Sequence, residues 1–160
     1  MLIFLELFVM LVLANGAPVV AARILGRRWS GPVDRGRLWR DGRPLLGASK
    51  TWRGVISGTL ACGLFALLTG IELLFGLLFG LLGLVGDMIS SFIKRRAGLA
   101  SSARAMGLDQ VPEALLPMIL AWYWLELSGQ VVVGVVVLFT ISNIALSPLL
   151  FRLGIRHQPH

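Results

Sequence analysis

Between Leu73 and Val85 every residue is Leu, Phe, Gly or Val. A segment apolar on all sides is at home in a bilayer, where about 20 residues at 1.5 Å rise cross the hydrocarbon core. By that measure the chain carries five candidate spans, at roughly 2–22, 54–70, 71–93, 112–127 and 131–151. Composition agrees: of 160 residues 56% are hydrophobic and 14% charged, with a mean hydropathy of +0.82. A water-soluble fold of this size needs more polar surface. The expectation is one all-α integral membrane domain, residues 1–160, with about five transmembrane helices and two long cytoplasmic loops. The N-terminal run lacks the basic start of a signal peptide and leads straight into a basic loop, so it is expected to be a retained span.

The second and third spans meet at "TGIE" and the fourth and fifth at "SGQ", connections so short that each pair must form an antiparallel hairpin. All fifteen Lys and Arg fall elsewhere: nine between Arg23 and Arg53, four between Lys94 and Arg104, and Arg152 and Arg156. Five spans put these three regions on one side, and the positive-inside bias makes that side the cytoplasm of a cell (inner or plasma) membrane. The N-terminus is then outside and the C-terminus inside. The net charge of +7 reads as a topology signature, not a nucleic-acid footprint, and it favours anionic lipid head groups. The lone Cys62 has no disulfide partner.

Chemistry-capable side chains concentrate in the two basic loops, about 23–53 and 94–111, and at their edges. In "GDMISSFIKRR", residues 86–96, helical periodicity puts Gly76, Gly80, Gly83, Asp87, Ser90 and Lys94 on one face. Small residues let another helix approach, within the chain or across a homodimer, so Asp87 is expected to point into a bundle. A carboxylate at membrane depth needs a partner or an ion. Lys94 lies two turns away, about 10 Å along the axis: too far to touch Asp87 but suited to the other end of an anionic ligand. The plainer reading is a stop-transfer flank with Asp87 solvated at the interface.

In "GASKTWRGVISG", Lys50 and Arg53 precede the second span among Gly, Ser and Thr. The spacing is not that of a Walker motif, but a helix starting near Thr51 would turn its positive dipole end toward an anion. A membrane-surface anchor around Trp52 is the alternative. In "GLDQVPEALLP", Asp109 is a candidate N-cap with Pro112 in the first turn. It also returns to the membrane face that carries Asp87, and two carboxylates ringed by cations suit Mg²⁺ and nucleotide phosphates. Asn15 and Pro18 interrupt the first span, with Pro18 freeing the carbonyl of Ala14.

Taken in order, "ANGAPVVAA", "DRGRLWRDGRPLLGASKTWRG", "GDMISSFIKRR" and "GLDQ" resemble the CDP-archaeol synthase family, the archaeal-type branch of the CTP:phosphatidate cytidylyltransferases. The resemblance spans the whole chain. It implies a five-span membrane enzyme that condenses CTP with a lipid phosphate, phosphatidate- or archaetidate-like, to give a CDP-lipid and pyrophosphate. It further implies Mg²⁺, accompanied by K⁺, held at Asp87 and Asp109, with Lys94 joining them in catalysis. Lys50, Arg53, Lys94, Arg95 and Arg96 would bind the phosphates of CTP or lipid, supported by Asn15, Ser90 and Ser91. One position departs from the family pattern: the acid that usually follows two residues after "LDQ", as in LDQxD, is Pro112. The adjacent Glu113 would emerge about 100° around the helix. A small transporter or lipid-translocating subunit using Asp87 and Asn15, and a catalytically silent lipid-binding homologue, are the competing functions. The transporter has no ionisable residues placed to relay across the membrane.

Overall fold

The computed structural model describes residues 2–101, 103, 105 and 107–152, with side chains described as far as residue 145. Arg104, Arg156, His157 and His160 lie outside the described residues. The described residues form five helices: α1 (Leu2–Leu25), α2 (Trp52–Thr69), α3 (Leu73–Arg96), α4 (Gln110–Trp124) and α5 (Gly129–Arg152). Among the described residues there is no strand, only isolated bridges at Pro32–Thr51 and Leu38–Pro44 within the first loop. The three first helices are long and apolar enough to cross a membrane. At 24 residues α1, α3 and α5 reach about 36 Å, against a hydrocarbon core of about 30 Å. The helix ends shift by up to three residues from the expected spans, most consequentially in α3 and α4. α3 continues through Lys94, Arg95 and Arg96 rather than ending at Ile93, because good helix formers extend a helix beyond the apolar layer. α4 begins two residues early, at Gln110, and stops at Trp124.

The helices pack as a ring in chain order, closed by α5 against α1, with α1 also touching α3 across the middle. Leu7, Met10 and Leu11 of α1, Phe75 and Phe79 of α3, Met118 of α4 and Phe139 of α5 fill the centre. The α2–α3 turn is the expected tight hairpin. Gly70 takes a left-handed φ of 80°, and the N–H of Ile71 reaches back to the Ala66 carbonyl at 2.8 Å, ending α2 in a glycine cap.

The glycine stripe of α3 packs within the chain. A Cβ on Gly76 would stand 2.8 Å from the Cys62 carbonyl, and one on Gly80 would stand 3.0 Å from the Gly58 carbonyl. The backbones of α2 and α3 therefore lie almost in contact, as small-residue packing allows. Pro18 of α1 seats against Gly54 of α2, and the Ala14 carbonyl that Pro18 leaves without its usual partner faces Gly58. Gly86 makes the tightest approach of all, its Cα lying against the Pro112 carbonyl and the Glu113 backbone of α4.

The first loop has a fold of its own. Asp34 is buried, and its carboxylate accepts hydrogen bonds from the backbone N–H groups of Gly36, Leu46 and Gly47 at 2.9–3.1 Å. Burial pushes this carboxyl up, but the three N–H donors outweigh it and hold the group below its ordinary value. The far end of the loop is clasped to α3. Arg96 reaches Asp41 at 2.6 Å and the Pro44 carbonyl at 2.5 Å, and lies over the rings of Phe92 and Trp39. Arg43 returns the contact, donating to the Arg96 carbonyl at 2.7 Å and so capping the C-terminus of α3.

Candidate active site

Five parts of the chain converge on one cavity of about 590 Å³. α1 contributes Asn15 and the apolar Pro18, Val19 and Ala22; the first loop and the start of α2 contribute Lys50, Thr51, Arg53 and Gly54. α3 contributes Leu84, Asp87, Met88 and Lys94; the start of α4 contributes Asp109, Gln110 and Glu113; α5 contributes Asn143. The cavity is polar at the end where the loops lie and apolar along α1 and α2.

Two ion pairs organise its polar end. Lys50 Nζ meets Asp87 Oδ2 at 2.5 Å, joining the first loop to α3. Lys94 Nζ meets Asp109 Oδ1 at 2.5 Å, joining α3 to the start of α4. Asp87 and Lys94 share a face as the sequence indicates, but each takes its partner from another element. Lys94 also donates to the Ala103 carbonyl at 2.9 Å, and Asp109 accepts from the Ala105 N–H at 2.9 Å, so the second loop is folded around this pair. Asp109 is thus no N-cap: its φ and ψ are already helical and its carboxylate reaches backward along the chain.

Two helix starts open on the cavity. Thr51 caps α2, its hydroxyl oxygen accepting from the Gly54 N–H at 3.4 Å. The first turn of α4 carries Gln110, whose side-chain oxygen accepts from the Gly107 N–H at 2.8 Å. Both ends bring the positive pole of a helix toward whatever anion the cavity holds.

Of the residues singled out from sequence, Asn15, Lys50, Arg53, Asp87, Lys94 and Asp109 come together here. Arg53 lines the wall with one guanidinium nitrogen already committed, donating to the Gly26 and Arg28 carbonyls at 2.6 and 3.0 Å. Ser90, Ser91, Arg95 and Arg96 are not brought to the cavity lining. Ser90 is fully buried with its hydroxyl on the Gly86 carbonyl at 3.0 Å, and Ser91 and Arg95 are buried beside it on α3. Arg96 belongs to the loop clasp. Glu113, the neighbour of Pro112 at the position where the family pattern has an acid, is present as well: it is buried, lines the cavity, and accepts a hydrogen bond from the Asn15 amide at 3.4 Å. Glu113 lies about 100° around the helix from Pro112, but Pro112 turns its backbone to Gly86, and the face of α4 toward the cavity is the one that Glu113 occupies.

The family model described as CarS-like, CDP-archaeol synthase, matches residues 1–74 and 69–160, which is the full length. The chain belongs to the CDP-archaeol synthase family. Among its relatives, the CDP-archaeol synthase of Thermococcus kodakarensis is 35% identical over 159 residues, covering 91% of this chain and 88% of the relative. That of Pyrobaculum arsenaticum is 31% identical and covers 91% of this chain and 90% of its own. A solved structure described as an intramembrane enzyme for archaeal membrane lipids biosynthesis superposes with a TM-score of 0.71 at 31% identity, covering 88% of this chain and 89% of that one. Like that enzyme, this member of the family is an all-helical integral membrane protein, and family and fold together make it a CTP-dependent nucleotidyltransferase.

The donor set suits a hard cation. Asp87 and Asp109 offer carboxylate oxygens, and Mg²⁺ binds through one or two carboxylates while substrate phosphates and water supply the rest. Each of these carboxylates already holds an ammonium group, so both positions favour positive charge. Among the described residues no group of three or more His, Cys, Asp and Glu forms a closed cage, which such an open arrangement does not require. The cavity lining carries three basic side chains and three acidic ones. An incoming nucleotide and lipid phosphate therefore bring negative charge that the lining does not by itself neutralise.

Proposed function

We propose that this chain transfers the cytidylyl group of CTP to the phosphate of an archaeol-type lipid, giving a CDP-lipid and pyrophosphate. The observation that carries the reading is the character of the cavity: paired Lys–Asp groups and two helix starts at one end, and an apolar wall of Pro18, Val19, Ala22, Val55 and Leu84 beside them. The polar end suits triphosphate; the apolar wall suits the chains of a lipid whose phosphate must meet it. The names of the relatives support an archaeol lipid over phosphatidate, and the cation-rich loops facing the cytoplasm would give the site its CTP.

The bond to be formed joins an oxygen of the lipid phosphate to the α-phosphorus of CTP, and the bond to be broken is that between the α-phosphorus and the bridging oxygen to the β-phosphate. A phosphomonoester has a second pKa near 6 and is largely dianionic at neutral pH. The attacking oxygen therefore needs no general base, and the work of the protein is alignment and charge neutralisation. Lys50 and Lys94 are placed to hold phosphate oxygens, while the α2 N-terminus capped by Thr51 and the α4 N-terminus add fixed positive dipole. Asp87 and Asp109 would hold Mg²⁺, with K⁺ as a further cation, and the bound metal would stabilise charge on the departing pyrophosphate. Glu113, fixed by Asn15, adds a third carboxylate to the floor of the same cavity.

The test is pyrophosphate release from CTP by the purified protein with a lipid phosphate, with and without Mg²⁺. Magnesium-dependent release with an archaeol-type phosphate, faster than with phosphatidate, is expected. No release with either class of lipid would overturn the reading.

A further inference from the structure

We propose that Lys50 and Lys94 act as built-in counter-ions that make divalent-cation binding depend on the nucleotide. The inference rests on the proposed cation site and adds how that site is regulated. The two pairs are equivalent in design: each carboxylate faces an ammonium at 2.5 Å. In each, the lysine comes from a different element than its acid, so the pair bridges separate parts of the chain rather than neighbours on one helix. Lys50 and Lys94 side chains are 18% and 10% exposed, their acids 30% and 21%. Such partly shielded pairs interact more strongly than surface pairs, and the loss of one partner leaves the other charge poorly compensated.

A cation approaching Asp87 or Asp109 must therefore displace an ammonium group, which costs affinity while the lysine has nowhere else to go. Phosphate oxygens provide that destination. When nucleotide enters, Lys50 and Lys94 turn to phosphate and the carboxylates become free for the cation. The equal number of acidic and basic groups lining the cavity is the static form of this arrangement: a cation alone leaves the site positive, a polyanion alone leaves it negative, and the two together offset each other's charge. By linkage, whatever the nucleotide adds to cation affinity the cation adds to nucleotide affinity.

The test measures Mn²⁺ binding without nucleotide, by the EPR signal of free Mn²⁺ over the purified protein. Wild type, Lys50→Gln, Lys50→Arg, Lys94→Gln and Asp87→Asn are compared, each checked for folding by its thermal transition. Lys50→Gln and Lys94→Gln are expected to bind Mn²⁺ at least tenfold more tightly than wild type, because each exposes a carboxylate. Lys50→Arg, which keeps the charge, should stay near wild type, and Asp87→Asn should weaken binding and so locate it. Equal Mn²⁺ affinity in wild type and in both glutamine variants would overturn the counter-ion proposal while leaving the cation site in place. No protein-bound Mn²⁺ in any variant, with CTP added as well as without it, would overturn both.

Discussion

Gly86 is the residue on which the geometry of the site depends most directly, and Gly86→Ala tests that dependence. A Cβ there would overlap the Pro112 carbonyl and stand 2.8 Å from Glu113 Cα, both backbone atoms of α4 that cannot rotate away. Overpacking of this kind costs about 1–3 kcal/mol, while exchanging Gly for Ala inside a helix returns up to about 1 kcal/mol. Gly83→Ala, one turn earlier on the same helix, is the internal control. Its Cβ would meet Ala14 Cβ at 3.5 Å and the Glu113 carbonyl at 3.6 Å, ordinary contacts. The control should be neutral or slightly stabilising, and Gly86→Ala should lower the thermal midpoint in detergent by on the order of 5 °C. The functional effect should be larger than the stability effect. Pushing α3 from α4 separates Asp87 from Asp109 and Glu113, and a misplacement of about 1 Å costs on the order of 100-fold in rate. Thermal unfolding and pyrophosphate release, measured on both variants, decide the matter. Gly86→Ala indistinguishable from Gly83→Ala in midpoint and rate would refute the claim that this contact sets the spacing of the acids.

Three other perturbations separate the roles assigned above. Asp87→Asn should reduce pyrophosphate release by about 100-fold or more; full activity would remove Asp87 from the metal site even if the reaction stands. Arg96→Gln should release the clasp on Asp41 and Pro44, seen as faster proteolysis within residues 36–45, while the KM for CTP stays within about threefold of wild type. A large rise in that KM with an unchanged cleavage pattern would instead make Arg96 a phosphate ligand. Asp34 has a folded-state pKa below its ordinary value of 3.8, so its carboxylate stabilises the loop above that pH and the stabilisation is lost as pH falls through the lower folded value. Backbone amide protection factors across residues 33–47, corrected for the intrinsic pH dependence of exchange, should therefore be flat from neutral to about pH 4 and fall below it; Asp34→Asn should show less protection at neutral pH and lose that acid step.

How much of this was legible beforehand depended on how local each signal was. The five helices follow from apolar runs, and the α2–α3 hairpin from a four-residue connection, because both are settled by near neighbours in the chain. The inward aim of Asp87 was also readable, since Gly76, Gly80 and Gly83 define its face by helical period alone, and those glycines do pack on α1, α2 and α4. The ion pairing was not. Asp87 finds Lys50 across 37 residues, and no periodicity relates a loop lysine to a helix carboxylate. The serines and arginines after Asp87 go elsewhere for a different reason: Ser90 shares the face of Asp87 but spends its hydroxyl on the Gly86 carbonyl, Ser91 and Arg95 are buried in the packing of α3, and Arg96 is taken up by the loop clasp. Glu113 shows the same rule from the other side. Measured from Pro112 it was misdirected, but the rotation of α4 is fixed by the Gly86–Pro112 contact, and that contact sends Glu113 into the cavity. A motif position therefore has meaning only relative to the packing that orients its helix, and here one glycine on α3 does the orienting.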